Sequence, residues 1–313
     1  MNGDNMIRMR TMLAGLLMAL LSIAAPAGAQ TKLKMTYTAV SGFAAGYVAE
    51  QQSFFQKHGV DVEFVQTNIS GNIPAVIESG SVEIGGPTLP SVLQANDAGL
   101  DLVVFGGGAV YPLPGDVLIA RQGSGIEKTT DLKGKTVGVP GIGALLHIML
   151  RRNLKANGVD PDSVRYVELG FPQAGDALKA GRIDAYPSEA PFTARILQSG
   201  AGKEVENWLS ATPAGTPTVV FATTRAWATA HKKEINGMQA AMREALAFIP
   251  THPNETNQAV AKYTGLPVQV IASIPMPPLA VDLTPKQIQF WIDICKEQNL
   301  IKGNPDPKSI WFE

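Results

Sequence analysis

Between Lys135 and Leu150 the chain reads KTVGVPGIGALLHIML, a stretch whose residue types could bind a negatively charged group. A short β-type run (Thr136, Val137, Val139) meets Gly138, Gly141 and Gly143, and an apolar helical pattern follows. Strand, glycine turn and helix N-terminus together offer free backbone N–H groups at the positive end of a helix dipole. The glycines fall in the order G-x-x-G-x-G, whereas a dinucleotide loop needs G-x-G-x-x-G, and no Gly-Lys-Ser/Thr follows as a P-loop requires. Two readings remain: an N–H platform at Gly141, Ile142, Gly143 and Ala144, or glycines that only let strand and helix pack closely. On the helix, Leu145, Leu146, Met149, Leu150 and Leu154 form the apolar arc and Arg151 falls on the solvated face. His147, one turn before Arg151, is open between packing and binding.

The other loops expected at strand ends are AVSGFAAGY, TNISGNIP, GGPTLPS, FGGGAVYPLPG, ELGFPQAG, AYPSEAPF and TPAGTPT, and none contains lysine or arginine. They supply aromatics (Phe43, Tyr47, Phe105, Tyr111, Phe171, Tyr186), small polar groups (Ser41, Asn72, Thr88, Ser188) and the acids Glu168 and Glu189. Such a set suits a ligand with a flat or apolar body and a few polar points. It disfavours an inorganic anion, for which bidentate arginine is the usual clamp. Glu189 is a candidate acceptor for a ligand amino or hydroxyl group; the competing reading is a charge at the start of the PFTARIL helix. Phe105 and other aromatics have a competing role as core. The candidate binding set is Ser41, Phe43, Asn72, Thr88, Tyr111, Gly141, Ile142, Gly143, Phe171, Tyr186, Ser188 and Glu189.

An internal repeat supplies the elements that position these loops. KMTYTAVSGFAAGYVAEQQSFFQKHGVDVEFV, from Lys34, parallels KTVGVPGIGALLHIMLRRNLKANGVDPDSVRYV, from Lys135. Each reads as a β-run, a small-residue loop, a helix closed by the shared Gly-Val-Asp (Gly59, Gly158) and a second β-run. AVIESGSVEIG and ALKAGRIDAY then add a short helix, a glycine and a third β-run to each copy. Two β-α-β-α-β units predict two α/β lobes, each a mostly parallel sheet flanked by helices, with ligand loops at the strand carboxyl ends. GDVLIARQGSG and GTPTVVFATT read as the connectors between lobes, near 115–125 and 213–224. Helices finish the chain, the last opening on a capping box at Thr284, Pro285 and Gln287. The expected organisation is a discontinuous lobe I (30–118 and 219–313) with lobe II (119–218) inserted.

Arg8 and Arg10, an apolar run from Met12 to Ala25 and Ala27-Gly28-Ala29 form a secretory signal over residues 1–29, with cleavage expected before Gln30. The only cysteine, Cys295, excludes an internal disulfide, so the fold rests on its core, for which 45% hydrophobic residues suffice. A net charge of −1 makes no electrostatic case for nucleic acid. The four histidines are scattered, so no metal site and no cofactor is expected. No nucleophile–base set is visible, and G-x-S-x-G is absent.

With FFQKHGVDVEFV, ESGSVEIGGPT, DLKGKTVGV and LKAGRIDAYPSEAPF in this order, the chain resembles the solute-binding proteins of nitrate/sulfonate/taurine-type ABC transporters. That group shares its domain with thiamine-pyrimidine-precursor binders, and the resemblance runs from about Leu33 to Leu300. It implies a periplasmic-binding-protein-like fold with the ligand cleft between lobes, and delivery of a small organic molecule (a planar acid or pyrimidine-like) to a permease with its ATPase. It also implies a monomeric, non-catalytic protein in the periplasm. Many relatives carry serine or threonine in the glycine loop, where this chain has Ile142 and Ala144, so a hydroxyl contact is missing. The alternatives are an exported enzyme on the same scaffold and a sensor that presents its closed form to a receptor.

Overall fold

The computed structural model describes residues 31–113, 116–207 and 212–313. The signal segment 1–29, its cleavage point before Gln30, and Pro114 and Gly115 of the first connector lie outside the described residues. Among the described residues ten strands are formed: β1 (Thr31–Tyr37), β2 (Val60–Gln66), β3 (Ile84–Gly85), β4 (Leu102–Gly107), β5 (Val117–Arg121), β6 (Thr136–Val139), β7 (Arg165–Glu168), β8 (Ala185–Ser188), β9 (Gly202–Glu206) and β10 (Val220–Thr224).

They make two five-stranded sheets, β2-β1-β3-β10-β4 and β7-β6-β8-β5-β9. The two orders are the same once β6, β7 and β8 are matched to β1, β2 and β3, so the sequence repeat is a repeat of topology. Gly59 and Gly158 end the equivalent helices at φ 84° and 74°, the left-handed region that glycine adopts without a Cβ clash. In each copy the first and third strands run parallel, with Met35 opposite Ile84 and Val137 opposite Ala185. The sheets are mixed rather than simply parallel, because each takes in one strand that arrives from the other lobe. β10 runs antiparallel between β3 and β4, and β5 antiparallel between β8 and β9.

The crossing itself is a short two-stranded ribbon. Tyr111 N–H donates to Thr216 O at 2.9 Å, Gly215 N–H to Tyr111 O at 2.8 Å, and Thr218 N–H to Ala109 O at 2.9 Å. The stretches 117–121 and 220–224, read above as connector, are therefore already sheet strands, and the first crossing comes earlier than 115–125. The capping box at Thr284 and Gln287 forms as expected and opens the helix Pro285–Glu297. That helix buries Trp291, whose indole N–H donates to Pro217 O at 2.7 Å and so fastens the ribbon to lobe I. Burial of Val103, Val104, Phe105, Phe221 and Met242 puts the first core around β4 and β10, which settles Phe105 as core. Cys295 is fully buried, and burial pushes its thiol up to about 12, so it stays a neutral packing group. Among the described residues no helix is long and apolar enough to cross a membrane.

Candidate functional site

The glycine loop and the loop after β8 were both expected at the cleft, and they differ in how their polar groups are used. The helix Leu145–Ala156 begins where the apolar pattern placed it. Three N–H groups of the loop before it are taken: Ile142 N–H donates to Glu168 Oε1 at 2.9 Å, Gly143 N–H to His147 Nδ1 at 3.0 Å, and Ala144 N–H to Gly141 O at 3.1 Å. This corrects the expectation of free donors at Ile142, Gly143 and Ala144. Ile142 is 51% exposed and lines neither cavity described below. Gly143 sits at φ 78°, which glycine alone adopts readily and proline cannot adopt at all.

What this loop does instead is seat lobe II on lobe I. Ser70 N–H donates to Pro140 O at 3.0 Å, and the Gln94 side-chain amide donates to Gly143 O at 2.7 Å. A Cβ on Gly141 would stand 2.6 Å from the Gly71 nitrogen, so the close approach of the two loops needs glycine there. His147 accepts through Nδ1 and stands edge-on to Tyr166 with ring centroids 4.5 Å apart. Burial, then the Arg151 charge, pulls its pKa down to about 4, so the ring is neutral and serves as a cap. Arg151 pairs with Asp162 at 2.8 Å, on the solvated side where its helical phase put it.

The loop after β8 has the opposite character. β5 pairs with β8 so that Val117 faces Ser188 and Leu118 faces Pro187. Continuing that antiparallel register by one step puts Asp116 opposite Glu189. Both acids line a small cavity, of about 10 Å³, together with Ser41, Gly42, Thr218 and Pro277. Glu189 and Thr218 also line a neighbouring cavity of about 20 Å³, walled by Thr38, Thr88, Leu145 and Phe171. Neither cavity has a lysine, arginine or histidine in its wall. A larger apolar groove of about 500 Å³ around Leu246, Ile249 and Met276 meets the acid cavity only at Pro277 and carries no titratable group.

Asp116 is 2% exposed, and neither of its carboxylate oxygens has a hydrogen-bond partner. Tyr111 Oη and Ser188 Oγ are buried and equally without partners. Buried polar groups are nearly always satisfied, so several orphans in one place need a cause. Like charges directly opposite on paired strands are destabilising as well. Burial pushes the Glu189 carboxyl up to about 8, and burial followed by the Glu189 charge holds Asp116 far above the usual carboxylate range. Burial also raises Tyr111 and Tyr186, and the nearby acid charge adds to it, so both phenols stay neutral.

Of the other candidates, Ser41 lines the acid cavity, and Thr88 and Phe171 line its neighbour. Phe171 stacks on Phe192 and meets Tyr186 edge-on, while the Tyr186 hydroxyl donates to Leu169 O at 2.8 Å, which ties it to the wall behind. Phe43 is fully buried against Phe221 and is core, and Asn72 is exposed outside both cavities. Glu168 is exposed and spent on the Ile142 N–H, so the second acid of the site is Asp116 and not Glu168. Asp116, Thr38, Ser70 and Thr218 were missed. Asp116 carried one visible signal, a lone acid at the head of the wholly apolar run Val117 to Ala120.

The comparisons with known proteins agree with this architecture. The family model described as "NMT1/THI5 like" matches residues 41–256. A putative aliphatic sulfonates-binding protein of Escherichia coli (strain K12) is 27% identical over 204 residues, 64% of this chain and 62% of its own length. The formylaminopyrimidine-binding protein of Halalkalibacterium halodurans is 31% identical over 140 residues, 44% of this chain and 41% of its own. The match thus spans less than two thirds of the length of either curated relative. The solved structure of the alkanesulfonate-binding protein SsuA from Xanthomonas axonopodis pv. citri, bound to MOPS, superposes with a TM-score of 0.76 over 90% of this chain and 98% of that one. At 21% identity that likeness concerns the fold alone. Two mixed α/β sheets joined by a ribbon, a cleft between them and a family match over most of the chain lead to one conclusion: this protein belongs to the NMT1/THI5-like family.

Proposed function

We propose that this chain is the periplasmic substrate-binding component of an ABC importer, which captures a small organic ligand by closing two lobes on it and passes it to a permease with its ATPase. The observation that carries the reading is the pair of cavities between the sheets, which share Glu189 and Thr218 and contain no cation. Acceptors, aromatic surface and apolar wall without a guanidinium suit a flat or apolar organic body and leave nitrate or sulfate without a clamp. The names of the two curated relatives support a small organic solute. In this reading residues 1–29 are a signal peptide removed before Gln30, lobe II, which takes in β5 from Val117, is inserted in a discontinuous lobe I, and the protein acts as a monomer without cofactor, metal or nucleic acid.

Native mass spectrometry of the purified protein, followed by a thermal-shift screen, identifies the ligand. A ligand at a hundred times its Kd adds about 2.7 kcal/mol of apparent stability. Small-angle scattering should then show the radius of gyration fall when that ligand saturates the protein. An unchanged radius would sink the closure mechanism. An exported enzyme is the second reading, favoured by the acid pair, since shifted carboxyls are what acid–base chemistry uses. Recovery of the ligand chemically unaltered after long incubation decides between them.

A further inference from the structure

We propose that the Asp116–Glu189 pair makes this cleft a receptor for a small organic cation that presents N–H donors from a planar group, such as an amidinium or guanidinium. The inference rests on the solute-binding reading and adds to it the sign of the ligand's charge. Three observations carry it. The strand register, continued by one step, sets the two residues opposite one another, and both line one cavity with no lysine, arginine or histidine in its wall. Asp116, almost wholly buried, keeps both oxygens unpartnered and lines that cavity, while the unpartnered Tyr111 Oη and Ser188 Oγ line neither cavity. Beyond the hydroxyls of Ser41 and Thr218 that wall is apolar (Ala109, Leu113, Ala190, Pro277), so no cationic side chain in it balances the pair.

A bound cation supplies what is missing. Two N–H groups on one planar carbon reach two carboxylates at once, and each charge-assisted bond is stronger than a neutral one. An anionic ligand would meet two acids with no cationic side chain in the wall to balance it, which removes planar acids from the candidate ligands. A metal ion fits poorly, because no group of three His, Cys, Asp or Glu that could hold one occurs among the described residues. The titratable groups that feel the Glu189 charge are Tyr47, Tyr111, Asp116 and Tyr186, and the phenols are neutral at ordinary pH. Burial keeps the empty pair largely protonated near neutrality, and an incoming cation is matched when a proton leaves for solvent.

The test uses the full-length mature protein and three probes of one shape, benzamidinium, benzamide and benzoate, in calorimetry near neutral pH. Benzamidinium should bind at least about tenfold more tightly than benzamide, with proton release seen as a dependence on buffer ionisation heat, and benzoate should give no heat. Asp116→Asn and Glu189→Gln should each erase the preference for cation over neutral probe. Both variants should melt higher than the parent without ligand, because each removes a carboxyl that folding keeps protonated above its ordinary range. Benzoate binding as well as benzamidinium overturns the proposal, and so does a lower melting temperature in both variants, which would make the acids structural. Silence of benzamidinium, guanidinium and methylguanidinium alike also overturns it. The solute-binding reading survives any of these results if some neutral or anionic compound still contracts the protein in scattering.

Discussion

The two loops at the carboxyl ends of the neighbouring parallel strands β6 and β8, Pro140–Ala144 and Ser188–Ala190, began as equal candidates for ligand contact and have opposite hydrogen-bond states. In the first, the N–H groups of Ile142, Gly143 and Ala144 are all engaged by protein acceptors. In the second and its strand neighbour, Ser188, Asp116 and Tyr111 keep buried oxygens without partners. A helix N-terminus is a ready anion site only while its donors are free. Unsatisfied buried groups, which cost stability in the empty protein, are the better pointer to where a ligand goes.

The largest expected effect lies on the acid side. Glu189→Ala should weaken the identified ligand by about a hundredfold in a calorimetric titration, the loss of charge-assisted bonds in a dry site. A fall of less than threefold would put the ligand elsewhere.

The pH dependence of the unliganded protein is the next effect. Glu189 is raised to about 8 when folded and returns to the ordinary carboxylate range when unfolded, so the folded state binds more protons between those values. Stability therefore falls as pH rises from about 5 to about 8, and Glu189→Gln should flatten that slope in a melting series. A parent slope of the opposite sign would contradict the raised pKa.

On the glycine side the effects should be smaller and of another kind. Gly141→Ala drives a Cβ into the Gly71 backbone across the lobe contact. It should cost about tenfold in affinity and leave the radius of gyration at its open value, with little change in melting temperature. Gly143→Ala meets a left-handed backbone and should cost about 1 kcal/mol of stability in urea titration, with affinity unchanged within twofold. Arg151→Ala, which loses a pairing with the largely exposed Asp162, should shift stability by no more than about 0.5 kcal/mol and leave binding alone. If Gly143→Ala or Arg151→Ala were the variant that destroyed binding, the contrast between the two loops would be reversed.

The legible part of the molecule was its punctuation. Gly59 and Gly158 sit at positive φ because both copies end a helix there, and that local requirement shows in one sequence without any knowledge of neighbours. The capping box at Thr284 is local in the same way. Partnering across the fold was not legible. Nothing local to Phe43 separates a cleft aromatic from one packed on Phe221, and nothing local to Ile142 shows that Glu168 takes its N–H. Asp116 was missed because its role depends on β5 running antiparallel beside β8, a pairing that a parallel-sheet reading does not contain.

The exchanged strands have a consequence for the order of assembly. β10 fills the gap between β3 and β4, yet it begins at Val220, after the whole of the second sheet has been made. Sheet two, by contrast, draws on one continuous stretch from Val117 to Glu206. During synthesis the earlier-made half must wait with a central slot empty, and such long-range closure is slow. For a chain that has to be threaded through a membrane before it folds, as the export proposed above requires, that slot acts as a built-in delay, keeping the N-terminal half from locking until its last strand has arrived.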